Sequence, residues 1–231
     1  MTAHAAPRAG SAAALTTRSA VLGHAWGRCS TRVLAAMTGA AIVVRVAVGR
    51  WEPADVVAAL VTVALVGPVE WVMHRHLFHA PPASRRSRIL GTGGDHARHH
   101  RDPDDLAWIL LAPRAVRLLA GGLAVLVACW AVPLAVVLGA PPPTLFLTAL
   151  TVALLALGHY EWTHLLVHAG YRPRSRYYRH LDRHHRLHHH RNERYWFGIT
   201  STWGDRLAGT LPADVAAVAR STTARSLDVD P

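Results

Sequence analysis

Four stretches of the chain carry almost nothing but apolar residues. They run from Val33 to Gly49, Ala54 to Met73, Ala115 to Leu138 and Leu145 to Trp162. The second has Asp55 at its start and Glu70 near its end, the third has Arg117 close to its beginning, and the fourth is uncharged until Glu161. At about 1.5 Å per residue, helices of this size match a hydrocarbon layer of about 30 Å. A helix of a soluble domain normally shows a polar face, and the third and fourth stretches have none. The pattern predicts an all-α integral membrane protein with four transmembrane helices. Arg45 interrupts the first stretch, at a cost of about 2.5–3.5 kcal/mol for an unpaired charge at a helix centre.

The connections set the topology. Only Arg50 to Pro53 separates the first two stretches, and only Ala140 to Thr144 the last two. These tight turns share one side of the membrane. The beginning of the chain, the segment from His74 to Pro113 and everything after Trp162 share the other. Four arginines lie before residue 33 and eleven after Trp162, whereas the turns hold just Arg50. That asymmetry places the basic side, both termini and a helical cap in the cytoplasm.

Composition refines this picture in three ways. Hydrophobic residues make up 51% of the chain and charged ones 17%, away from the quarter usual in soluble domains. The net charge of +11 is accounted for by orientation in the membrane, so no nucleic-acid partner is expected. Cys29 and Cys129 stand too far apart in sequence for a disulfide framework or zinc ribbon, so any metal must be held by nitrogen or oxygen. Residues 1–32, without sustained apolar period, read as a mobile leader, 33–211 as the membrane domain, and 212–231 as a flexible tail.

The histidines supply the chemistry. Six fall within "HLDRHHRLHHH", from His180 to His190. Others lie in "HRHLFH" (His74, His76, His79), "HARHH" (His96, His99, His100) and "HLLVH" (His164, His168). Positions i, i+3 and i+4 share a helix face, so "HARHH" and "HRLHH" each present three imidazoles together. Two of the groups sit where spans leave the membrane and the other two follow them, so all four can converge at one surface. So many imidazoles suggest two ions, of a kind such as Zn, Cu, Fe or Ni. A His-rich metal-binding or transport protein is the competing class, although a transporter would place its ligands at mid-membrane.

From Glu70 to Leu211 the chain resembles the membrane fatty acid hydroxylase/sterol desaturase superfamily. "EWVMHRHLFH", "HARHHRDPDD", "HLLVH" and "HRLHHHRNERYWFGITSTWGDRLAGT" resemble its histidine boxes and the segment that follows them. Pro103 and Asp105 fall where the fatty acid 2-hydroxylase branch has HHxxPxD, although this chain has "LAW" where that branch carries an arginine. The bacterial carotenoid hydroxylases and the sterol desaturases share the scheme and rank second.

The resemblance implies ten metal ligands: His74, His79, His96, His99, His100, His164, His168, His185, His188 and His189. It implies two iron ions, with zinc able to occupy the sites in purified material, and O2 as co-substrate. It further implies a lipid substrate and a separate electron-transfer protein, a ferredoxin or cytochrome b5-like carrier. Glu161, His159, His184 and Asp205 are expected to support the ligands, with His76, His180 and His190 in supporting or surface roles. Arg172, Arg174 and Arg176 are expected to meet lipid headgroups. The segment "FGITSTWGDRLAG" is expected to cap the site, with Asp205 pairing with Arg206 or the ligands.

Overall fold

The computed structural model describes residues 10–225 and 227. Expectations for residues 1–9, 226 and 228–231 lie outside them. Among the described residues the fold is helical, with one isolated bridge between Ser11 and Asp105. A short 3-10 turn (Ala12–Ala14) precedes α1 (Arg18–Gly27) and α2 (Cys29–Val48). Next come α3 (Pro53–Met73), α4 (Arg85–Leu90), α5 (Thr92–Arg101), α6 (Leu106–Ile109), α7 (Pro113–Leu138) and α8 (Pro142–His168). α9 (Arg176–His190) and α10 (Trp203–Ala208) complete the order.

Four helices are long and apolar enough to cross a membrane: α2, α3 with its continuation to Phe78, the stretch ending in α7, and α8. Prolines start three of them, Pro53, Pro113 and Pro142, where the missing N–H costs nothing and the fixed φ suits a first turn. α8 is the central post and packs against α2, α3 and α7. Lipid offers helices no hydrophobic reason to associate, so close contact depends on small residues. Ala58, Ala131, Ala135, Ala149 and Ala153 supply them around Val127 and Leu145. Val43, Val46, Leu60, Val63, Val125 and Val137 face outward, as a lipid-facing surface requires.

Arg45 is 2% exposed and neither faces lipid nor snorkels. Its guanidinium meets Asp55 at 2.9 Å, donates to Thr148 Oγ1 at 2.6 Å and to the Gly49 carbonyl at 2.6 Å, and stacks on Trp51. Thr148 also donates to Asp55 at 2.6 Å. The charge that looked costly in an apolar stretch is thus part of a latch joining α2, α3 and α8 beside the turns.

The start of the chain differs from the expected leader. From Gly10 it forms the 3-10 turn and α1, with Ala12 and Val21 wholly buried. Gly10 and Ala12 pair with backbone groups of Leu106 and Asp104, and Ala12 and Leu15 accept from Gly170 and Tyr171. The segment therefore stitches the loop after α5 to the loop after α8. The end of the chain differs too. Among its described residues there is no helix after α10, but Val218 and Ala224 are buried and the backbone pairs with the end of α9 and with α5.

Candidate metal centre

Each histidine box is placed by a distinct local device. α3 does not end at Met73 but widens into a π-helical turn over His74–Phe78, with the His79 N–H donating to the His74 carbonyl at 3.0 Å. In an α-helix, residues five apart point about 140° away from each other. The wider turn returns His79 to the His74 face, and their rings lie 5.0 Å apart. This is a common use of a π-turn at functional sites. His164 and His168 lie on the last two turns of α8 itself, which runs six residues past the expected end of that stretch. α5 and α9 supply the HxxHH segments.

The ten imidazoles assemble into two groups that could each hold a metal ion. His74, His79, His96, His100 and His188 form the first, and His99, His164, His168, His185 and His189 the second. The HxxHH segments do not each serve one ion. α5 gives His96 and His100 to the first group and His99 to the second; α9 gives His185 and His189 to the second and His188 to the first. The two helices therefore lock the groups side by side, with the His100 and His189 rings stacked at 4.1 Å.

The donor set fits metal ions on chemical grounds. Nδ1 of His74, His100, His164 and His188 lies 2.6, 2.8, 2.9 and 2.8 Å from the carbonyl oxygens of Phe197, Ala224, Ile109 and Tyr195. A carbonyl only accepts, so Nδ1 carries the hydrogen and Nε2 offers a lone pair. Those Nε2 atoms converge. His96 Nε2 lies 3.1 Å from His74 and 3.2 Å from His100, His79 lies 3.1 Å from His188, and His99 lies 3.1 Å from His164. Separations of about 3 Å suit neighbouring ligands on one ion with metal–nitrogen bonds of about 2.1 Å.

Electrostatics agree. Burial, followed by neighbouring imidazoles, holds His96, His99, His100, His185 and His189 well below the usual histidine range. Burial pushes His188 down to about 4. The rings are therefore neutral at ordinary pH, the form that binds metal. No carboxylate or thiolate joins either group among the described residues.

The supporting residues act through backbone. Asp205 does not pair with Arg206; it accepts from the Phe197 and Gly198 N–H groups at 2.9 and 2.8 Å and from Thr210 Oγ1 at 2.6 Å. It thereby fixes the loop whose Phe197 carbonyl holds His74. α10 sits on α3 so closely that a Cβ at Gly204 would strike the Gly67 backbone, and Trp71 Nε1 donates to Thr210 at 2.9 Å. Asp105 caps α6 by accepting from Ala107 N–H at 2.9 Å, and α6 ends at Ile109, whose carbonyl holds His164. Glu161 accepts from Leu111 N–H at 3.0 Å, steadying that same strand of backbone. His159 meets the Tyr177 hydroxyl at 3.0 Å, and the His184 ring lies against His180. Arg172, Arg174 and Arg176 are exposed.

Glu70 was not among the sequence-derived site residues. It is buried and accepts from Ile199 N–H, from Thr200 N–H at 2.9 Å and from Thr200 Oγ1 at 2.5 Å. Its position one turn before His74 was the available signal. Glu70 and Thr200 border an apolar cavity between α3, α7 and α8, lined by Leu65, Val69, Met73, Leu126, Leu157 and Tyr160. The Tyr160 ring stands 6.1 Å from Phe78 and 5.8 Å from His164. Phe78 stands 5.6 Å from His96, so a chain of aromatic contacts runs from Tyr160 at the cavity to the imidazoles.

With this geometry in hand, similarity to known proteins is informative. The family description "Fatty acid hydroxylase" matches residues 59–210. The chain belongs to the fatty acid hydroxylase family. It is 30% identical over 157 residues to dihydroceramide fatty acyl 2-hydroxylase FAH2 of Arabidopsis thaliana, covering 66% of this chain and 60% of that one. It is 29% identical over 144 residues to the fatty acid 2-hydroxylase of Macaca fascicularis, covering 62% of this chain and 36% of that one. The human fatty acid 2-hydroxylase is 28% identical over the same length. The chain thus spans 60% of the length of the plant relative and 36% of that of the mammalian ones. No solved structure matches it.

Proposed function

We propose that this family member is a membrane diiron lipid hydroxylase, acting on fatty acyl chains with O2 and external electrons. The observation that carries the reading is the convergence of ten imidazoles from four segments beside an apolar cavity. His74, His79, His96, His100 and His188 would hold one iron, and His99, His164, His168, His185 and His189 the other. The irons would supply the redox capacity to convert C–H to C–OH, with one oxygen atom of O2 entering product and the other leaving as water at the expense of two electrons and two protons.

The protein's own part is to bind, orient and exclude water. Leu65, Val69 and Leu157 receive the acyl chain, and Tyr160 with Phe78 controls its approach to the metals. Glu70 holds the loop at Thr200 across the cavity's upper end. Arg172, Arg174 and Arg176 face the headgroup region, and the basic side with both termini is cytoplasmic. A ferredoxin or cytochrome b5-like protein delivers the electrons. The names of the relatives favour the 2-position of an acyl chain. Residues 33–211 carry all ten imidazoles and, but for the first turn of α2, the four spans.

The test compares lipids of cells expressing the intact protein, its His188→Ala variant, or neither. The expected result is 2-hydroxylated acyl lipid with the intact protein alone. Identical lipid and pigment profiles in all three would overturn the reading. A carotenoid or sterol product would move the substrate within the same chemistry.

A further inference from the structure

Four backbone carbonyls hold imidazoles of the centre, and three of them, from Ile109, Tyr195 and Phe197, lie within the family-matched residues. The fourth belongs to Ala224, beyond that match. The chain reaches it by a traceable route. Past the end of α9, Arg191 donates to the carbonyls of Val218 at 2.9 Å and Ala216 at 3.1 Å, and Asn192 donates to Ala219 at 3.1 Å. Ser221 N–H returns a bond to the Arg191 carbonyl at 2.8 Å. Thr223 Oγ1 donates to Glu193 at 2.7 Å. His100 Nδ1–H then meets the Ala224 carbonyl at 2.8 Å. Arg225 donates to the carbonyls of His100 at 3.1 Å and Arg101 at 2.7 Å, at the C-terminal end of α5.

We propose that residues 216–225 form a clasp that positions His100 and so retains the ion of the first imidazole group. Three observations single out that group. The clasp's one direct bond to an imidazole is to His100. Arg225 fixes the carbonyl of the same residue, a cation at a helix C-terminus. Thr223 holds Glu193 in the turn whose Tyr195 carbonyl anchors His188, another member of the first group. In the second group, by contrast, Nδ1 of His99, His185 and His189 is buried without a protein partner, and none is touched by the clasp. Partners of this kind fix the tautomer and orientation of a ligand, and losing one weakens metal binding by about 10–100-fold.

The proposal rests on the metal-centre reading, which titration of the intact chain tests separately. Metal-stripped protein in detergent is titrated with Co2+ and followed by its visible absorption, with a competing chelator to grade affinity. The variants are a chain ending at Asp214, Thr223→Val, Thr223→Ser and Arg225→Met. The intact protein is expected to bind two ions. The shortened chain should bind one of them about 10–100-fold more weakly and keep the other at the affinity of the intact protein. Thr223→Val and Arg225→Met should weaken the same ion to a smaller degree, and Thr223→Ser should restore it. Two ions held as tightly by every variant as by the intact chain would overturn the clasp alone. Equal weakening of both ions would overturn it too, by showing a general packing role. Should the shortened chain fail to fold, the point variants decide by the same criteria. An intact chain that binds no ion removes the metal-centre reading and the clasp with it.

Discussion

The two ends of the helical bundle both bury polar groups, and they resolve them in opposite ways. Beside the turns, Arg45, Asp55 and Thr148 satisfy one another through direct bonds. At the other end, buried imidazoles aim their Nε2 atoms at each other across about 3 Å, with their hydrogens committed to carbonyls behind them. One arrangement is complete as protein. The other gathers lone pairs that repel unless a cation lies between them. Buried polarity that closes on itself is architecture, and buried polarity that converges without closing is a binding site.

Breaking each end should therefore give different losses. The largest effect is expected at the imidazoles. His99→Ala and His188→Ala should each weaken one ion by more than about 100-fold, since even partners behind a ligand are worth about 10–100-fold, and both should abolish lipid hydroxylation. Metal analysis after chelator challenge reads this, and the two variants should lose different ions. Arg45→Met should instead destabilise the folded protein by about 3–5 kcal/mol, because it strands a buried Asp55, while two ions remain bound. Adding Asp55→Leu should recover much of that loss, since apolar replacement of a buried pair is often neutral. Thermal melting in detergent beside metal content checks both.

A smaller change sharpens the contrast. Asp205→Asn exchanges one acceptor oxygen for a donor facing backbone N–H groups, at a cost of about 1–3 kcal/mol. It should loosen the Phe197 carbonyl behind His74 and weaken the first ion more than the second. The gentlest probe is pH. Burial holds His188 at about 4 and its neighbours well below 6.5. Below pH 6.5 the unfolded chain takes up protons that the folded chain refuses, so folded stability falls as pH drops from about 6.5 toward 4. Melting curves of metal-free protein should show this decline, and bound metal should shift it to lower pH.

The spans and the imidazoles were legible because each carries a side-chain signature: unbroken apolar runs for the helices, and i, i+3, i+4 histidines on α5 and α9. How the histidines divide between two ions was not. His99 and His100 are neighbours in sequence yet serve different groups, a consequence of where α3 and α8 end around them. The π-turn that returns His79 to the His74 face leaves no pattern either. Least legible were the anchors, since the carbonyls of Ile109, Tyr195, Phe197 and Ala224 are present at every residue and mark nothing. The same holds for the beginning and end of the chain, whose contacts are scattered backbone and side-chain bonds without periodicity. Arg45 and Asp55 were readable as opposite charges flanking a short turn, but only as a pair.

X-ray absorption at the metal edge of the purified intact protein, with total metal analysis on the same sample, tests the central claim most directly. The account predicts two ions per chain, each surrounded mainly by imidazole nitrogens. A single ion, or a shell dominated by carboxylate oxygen or sulfur, would contradict it.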